Sequence, residues 1–129
     1  MQAVATVTLV VRDYDAAIAF YREKLGFELL ADTPLGGGKR WVTVAPKGNG
    51  GAKLLLALAD GAAQAAHVGN QTGGRVAFFL ETDDFARDYA AYRAAGVRFR
   101  EAPRHEPYGS VAVFEDLYGN SWDLIEPKG

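Results

Sequence analysis

Apolar and polar positions alternate through residues 5–11, with Thr6, Thr8 and Val10 on one side and Val7, Leu9 and Val11 on the other. A period of two built from β-branched residues predicts a strand. The period then lengthens. Ile18, Tyr21 and Leu25 fall at helical spacing, Asp13 or Asp15 is placed to cap the first turn, and Gly26 suits a left-handed exit. Residues 27–31, 40–45 and 53–58 read as three further strands, separated by the glycine-rich turn at 33–38 and the break at 46–51.

After residues 59–74, rich in Ala, Gly, Gln and Asn, the pattern restarts. Residues 75–80 alternate again, with Val76, Phe78 and Leu80 on one face and Arg75, Ala77 and Phe79 on the other. Asp83 or Asp84 caps a helix striped by Phe85, Tyr89 and Tyr92, and Gly96 ends it. Strands follow at 97–99, 110–114 and 121–126, with a turn region at 103–109 and a tight turn at 116–120. Val7, Leu9 and Val11 recur 69 positions later as Val76, Phe78 and Leu80, the mark of an internal duplication. The expected organisation is a first βαβββ module at 1–58, a linker at 59–74 and a second module at 75–129. The fold class is then α+β: two tandem βαβββ modules forming a curled mixed sheet around a cavity, with the helices outside. Thr6, Thr8, Arg75 and Phe79 are expected to look inward.

Composition narrows the chemistry. The 129 residues contain no cysteine, which removes thiolate zinc sites, iron–sulfur clusters, cysteine nucleophiles and disulfides together. Fourteen basic against sixteen acidic residues, a net charge of −2, offer no basic field for nucleic acid. No apolar run approaches the ~20 residues that span a bilayer, and the first residues lack the basic-then-apolar order of a signal peptide. The expectation is a cytoplasmic protein with neither nucleic acid nor membrane as partner.

Four pieces, in order along nearly the whole chain, carry a family resemblance. They are Val7-Thr8-Leu9-Val10-Val11-Arg12-Asp13, Phe20-Tyr21 with Leu25-Gly26-Phe27, Val76-Ala77-Phe78 with Asp83-Asp84, and Asp116-Leu117-Tyr118-Gly119-Asn120-Ser121-Trp122-Asp123-Leu124. Together they resemble the vicinal oxygen chelate superfamily of glyoxalase I, bleomycin-resistance proteins, fosfomycin-resistance enzymes and extradiol dioxygenases. The resemblance implies the paired βαβββ fold and a homodimer. In the enzymes of the group it implies a divalent ion held at four inward positions, where it polarises substrate oxygens. Those positions fall here on Thr6, Leu55, Arg75 and Asp123. Only Asp123 has metal-binding chemistry: Leu55 has no donor atom and Arg75 is a fixed cation. The expectation is therefore no metal and no cofactor.

The candidate ligand-binding residues are Thr6, Thr8, Trp41, Leu55, Arg75, Phe79, Tyr108 and Asp123. Arg75 opposite Asp123 reads equally well as a structural ion pair or as an anchor for an anionic ligand. Trp41, Phe79 and Tyr108 are cavity walls or ordinary packing, and for any one of them packing is the commoner role. Trp122 faces away from Asp123 and reads as core. His67 and His105 read as solvent-facing loop histidines. The run Gly36-Gly37-Gly38-Lys39 fails as a phosphate loop, since Thr33 stands where glycine is needed and Arg40 where Ser or Thr is needed; it reads instead as a glycine hairpin over the pocket. No catalytic residue emerges. The expected function is metal-independent binding of a small organic molecule, anionic or aromatic. One alternative is a glyoxalase-like lyase, isomerase or dioxygenase with a non-standard metal site. Another is a dimeric interaction module without a ligand.

Overall fold

The computed structural model describes residues 1–48 and 50–129; Asn49, inside the expected break at 46–51, lies outside the described residues. The chain divides into two compact units, Met1–Val68 and Gly69–Gly129. The division falls within the segment expected to be a linker, because part of that segment is ordered as a short helix belonging to the first unit.

The first unit runs β1 (Thr6–Val11), α1 (Tyr14–Ala19), β2 (Glu28–Gly36), β3 (Lys39–Ala45), β4 (Lys53–Leu58) and α2 (Gly61–Ala65). Its sheet has the order β1-β4-β3-β2, with β1 and β4 parallel and the other pairs antiparallel. Asp13 is the residue that caps α1: its carboxylate accepts from the Ala16 amide at 2.7 Å. The helix then widens into a π turn, Phe20–Lys24, with the Phe27 amide donating to the Tyr21 carbonyl at 2.8 Å. Gly26 closes it at φ +72, a left-handed conformation that costs glycine nothing. Leu9, Val11, Val42, Val44, Leu54 and Leu56 are buried together with Ala17, Ile18 and Tyr21 from the helical segment.

Strand β2 extends well beyond the expected 27–31. It takes in most of the glycine-rich stretch and leaves only Gly37 and Gly38 as the turn. Two register irregularities accommodate this, and Pro34 is tolerated because β2 is an edge strand.

The second unit repeats the plan as β5 (Val76–Glu81), α3 (Phe85–Ala94), β6 (Arg104–Glu106), β7 (Gly109–Glu115) and β8 (Ser121–Pro127), with sheet order β5-β8-β7-β6. Asp84 caps α3 through the Arg87 amide at 3.0 Å. The core is an aromatic stack: Trp122 lies 4.5 Å from Phe78 and 5.7 Å from Phe114 between ring centroids, and Tyr92 meets Phe114 edge-on at 5.5 Å.

Two expectations fail in this unit. The strand expected at 97–99 is reduced to a single bridge, Phe99 to Phe114. The outer strand is instead β6, inside the segment expected to be a turn, joined to β7 by the two-residue turn Pro107–Tyr108. Arg75 lies just before β5, and the register of β5 on β8 slips between Val76 and Phe78. Two residues of β5 there span one step of β8, so the alternation that placed Arg75 beside Phe79 does not continue upstream.

Among the described residues, no helix is long and apolar enough to cross a membrane.

Candidate functional site

Each sheet packs one face against its helices; the other face carries the candidate residues, buried at Thr43 and Val111 and exposed at Trp41 and Phe79. In the first unit, register places Thr6 beside Lys53, Thr8 beside Leu55 and Thr43 beside Leu55, with Trp41 two residues from Thr43 on the same side. Thr6, Thr8, Trp41 and Leu55 therefore share the open face of the first sheet. Trp41 is 43% exposed there. Lys39 and Lys53 bring charge to this face.

In the second unit, Phe79 is the register partner of Asp123, and Asp123 in turn of Val113. Arg104 is paired with Val111, which is itself paired with Ile125. Phe79, Asp123, Val113 and Arg104 thus lie on one face, opposite Phe78 and the buried Trp122 and Leu124. Phe79 is 66% exposed, an unusual position for a phenyl ring on a strand flanked by core.

Most of the polar groups here have partners. Arg104 Nε lies 3.1 and 3.2 Å from the two Glu101 oxygens, its Nη1 is 3.5 Å from Glu106, and the Tyr108 hydroxyl adds a further hydrogen bond. Glu101 also accepts from the Val113 amide at 3.3 Å. Glu115 pairs with Arg98 at 3.5 Å and Arg100 at 3.3 Å, and Arg100 donates to Ser121 Oγ and to the Gly119 carbonyl. Asp123 is an exception: its Oδ1 is buried with no hydrogen-bond partner. Burial pushes its carboxyl above the ordinary range; Arg104 opposes that and Glu101 reinforces it.

The cation that Asp123 feels is therefore Arg104, not Arg75. Arg75 is exposed and outside the strand, and its carbonyl accepts from Thr72 Oγ1 at 2.6 Å. Arg104 had a legible signal: Pro107-Tyr108-Gly109 before the 109–115 strand suits a hairpin turn, which would set Arg104 across from Val111.

The internal repeat also corrects one carried-over position. Phe79 with Asp123 immediately precedes the pair Leu80 with Leu124, just as Val10 with Ala57 precedes Val11 with Leu58. The counterpart of Asp123 in the first unit is thus Ala57, two residues beyond Leu55. Thr6, Ala57, Arg75 and Asp123 offer one carboxylate, one hydroxyl, a methyl and a guanidinium. That donor set does not fit a divalent ion.

The acidic-Gly-Asn motif proves to be a structural lock. Asp116 Oδ1 accepts from the Tyr118 and Asn120 amides at 3.1 and 2.9 Å, and Oδ2 from Asn120 Nδ2 and Trp122 Nε1 at 3.0 and 3.3 Å. Asn120 Oδ1 then accepts from the Gln71 amide. Gly69 lies so close that a Cβ there would come within 2.0 Å of the Tyr118 carbonyl oxygen. His105 is exposed, with Nδ1 2.9 Å from Ser110 Oγ. His67 is exposed beyond α2. Each unit also carries an outer groove, of about 500 Å³ beside Phe27 and Leu29 and about 470 Å³ beside Tyr89 and Phe99. Neither groove contains any of the eight candidates.

By its architecture this is an α+β protein of two four-stranded mixed sheets, with an exposed aromatic side chain and an under-satisfied carboxylate on one face of the second sheet. The chain belongs to the Glyoxalase/Bleomycin resistance protein/Dioxygenase superfamily, whose family model matches residues 3–124. It is 52% identical over 126 residues to an uncharacterized protein of Shewanella frigidimarina, covering 97% of this chain and 93% of that one. Among solved structures it is similar to UcmS2, with 35% identity, a TM-score of 0.84 and coverage of 97% and 98% of the two chains. It is also similar to TnmS3, an antibiotic binding protein from Streptomyces sp. CB03234, with 34% identity, a TM-score of 0.78 and coverage of 99% and 98%.

Proposed function

We propose that the chain binds a small aromatic molecule on the open face of its second sheet and acts by holding it, without metal-based catalysis. The observation that carries this is the juxtaposition of Phe79 and Asp123. A solvent-exposed phenyl ring offers a stacking surface, and beside it lies a partly buried carboxylate whose inner oxygen, Oδ1, has no hydrogen-bond partner. Similarity to a protein described as antibiotic binding supports the same reading. Tyr108, half exposed at the β6–β7 turn, extends the aromatic surface.

The anionic option loses its support, because Arg75 is off the strand and Arg104 is already engaged by two carboxylates. Thr6, Thr8, Trp41 and Leu55 form a second, more apolar open face in the first unit, and a homodimer remains part of the proposal through the family resemblance.

The test is a thermal-shift and calorimetric screen of planar aromatic antibiotics against the wild type and Phe79→Ala. The reading expects at least one compound with micromolar affinity, weakened about tenfold or more by Phe79→Ala. Chelator-sensitive turnover of a substrate, lost in Asp123→Ala, would overturn it in favour of a metal enzyme.

A further inference from the structure

The charges of the second sheet's open face point to the chemical class of the ligand, and this inference rests on the binding reading above. On or beside that face lie Glu81 from β5, Glu101 before β6, Arg104 and Glu106 from β6, Glu115 from β7 and Asp123 from β8, with Arg98 and Arg100 reaching Glu115. Five carboxylates therefore meet three guanidinium groups.

Each of the three guanidinium groups already has a carboxylate partner, Arg98 most loosely, at 3.5 Å with its side chain exposed. Arg98 and Arg100 hold Glu115, Arg100 also donates to Ser121 and Gly119, and Arg104 is held by Glu101, Glu106 and Tyr108. An incoming anion would compete with these carboxylates for the guanidinium groups and would meet the field of all five. Among the described residues, Glu81 and Asp123 have no cation within ion-pair distance, and Asp123 still lacks a donor to Oδ1. Its neighbour across the strand is the exposed ring of Phe79.

We infer that the ligand is an aromatic molecule carrying a cationic amine or a hydrogen-bond-donating hydroxyl, with the ring on Phe79 and the donor on Asp123. Asp123 selects against carboxylate-bearing aromatics. A donor or cation beside the carboxylate offsets its charge, whereas a second carboxylate would add repulsion beside a group already short of stabilisation.

The test uses three matched probes at pH 7.5: 1-naphthylmethylamine, 2-naphthol and 2-naphthoate. Binding is read from amide chemical-shift changes at Phe79, Asp123 and Val113 in the full chain. The expected order is amine tightest, naphthol next and naphthoate at least tenfold weaker than the amine. Asp123→Asn should reduce the amine-to-naphthoate ratio to about twofold while naphthol still binds. Phe79→Ala should weaken all three. Naphthoate binding as tightly as the amine, with Phe79→Ala still weakening both, would overturn the ligand class and leave the binding reading in place. Absence of shifts at these amides with all three probes up to millimolar concentration would overturn both.

Discussion

The two units share a strand plan and even the place of their helix caps, yet their open faces differ in kind. The first unit presents threonines, Leu55 and Trp41 with two lysines, Lys39 and Lys53. The second presents Phe79 among carboxylates and guanidinium groups, with Asp123 standing where the first unit has Ala57. Their outer edges differ as well. Arg40 holds the first by two bonds to Asp32, 3.0 and 2.7 Å, and one to Asp15 at 2.9 Å, while the second ends in the three-residue strand β6, whose Arg104 looks toward Asp123. The two units thus share a scaffold, because buried alternation tolerates few changes. The faces turned away from the helices are where the two units differ. Function in such a fold is to be sought where the repeats disagree.

The comparison can be broken first at its scaffold. Asp116 is buried and accepts four hydrogen bonds, so Asp116→Ala leaves several buried donors unmet. It should cost about 3 kcal/mol in urea unfolding, the largest effect expected of any substitution named here. A loss below 1 kcal/mol would show that the motif does not lock the second unit.

Arg40→Ala tests the first unit's edge. The guanidinium holds the Asp32 carboxyl below its ordinary range, chiefly by hydrogen bonding, and also stacks on the Tyr14 ring with a 5.0 Å separation. Thermal melting should fall by less than for Asp116→Ala. The gap to wild type should narrow in 1 M salt, since the network is open to solvent. A gap that widens with salt would contradict that.

Asp123→Asn should act in the opposite direction. The folded state holds the Asp123 proton to higher pH than the unfolded chain does. Its contribution to stability therefore declines as pH rises from about 3.8 through the folded pKa, and stays at the lower level above it. Asparagine removes that decline. The variant should melt on the order of 2 °C higher at pH 7, with a flatter stability profile in the acid window. A lower melting temperature at pH 7 would mean the carboxylate is satisfied.

The smallest effect sharpens the contrast optically. Trp41 is 43% exposed and Trp122 only 3%. Acrylamide should quench the fluorescence of Trp122→Phe, which reports Trp41, several-fold more strongly than that of Trp41→Phe. Equal quenching would mean that one of the two faces is misassigned.

Much of the scaffold was legible in the chain, because it is written in apolar periodicity. β1, the helix stripes and the recurrence of Val7, Leu9 and Val11 as Val76, Phe78 and Leu80 all follow from what must be buried. Of the two possible caps at each helix, only the coordinates distinguish Asp13 and Asp84. The site was less legible. β6 is Arg-His-Glu, three polar residues with no alternation of hydrophobicity to betray an edge strand, so Arg104 was passed over. The slip between Val76 and Phe78 leaves no compositional trace, yet it removes Arg75 from the face it was assigned to. Strand register matches Asp123 with Ala57 rather than Leu55, because the last strands of the two units repeat at a different spacing from the first.

The central claim is that Asp123 is an under-satisfied carboxylate on the open face of the second unit, ready for a donor. A ¹³C-detected titration of the Asp123 side-chain carboxyl tests it most directly. The account predicts a midpoint above the ordinary aspartate value of 3.8 in the free protein, falling when 1-naphthylmethylamine is bound. A midpoint at or below 3.8 that does not move with the amine would contradict it.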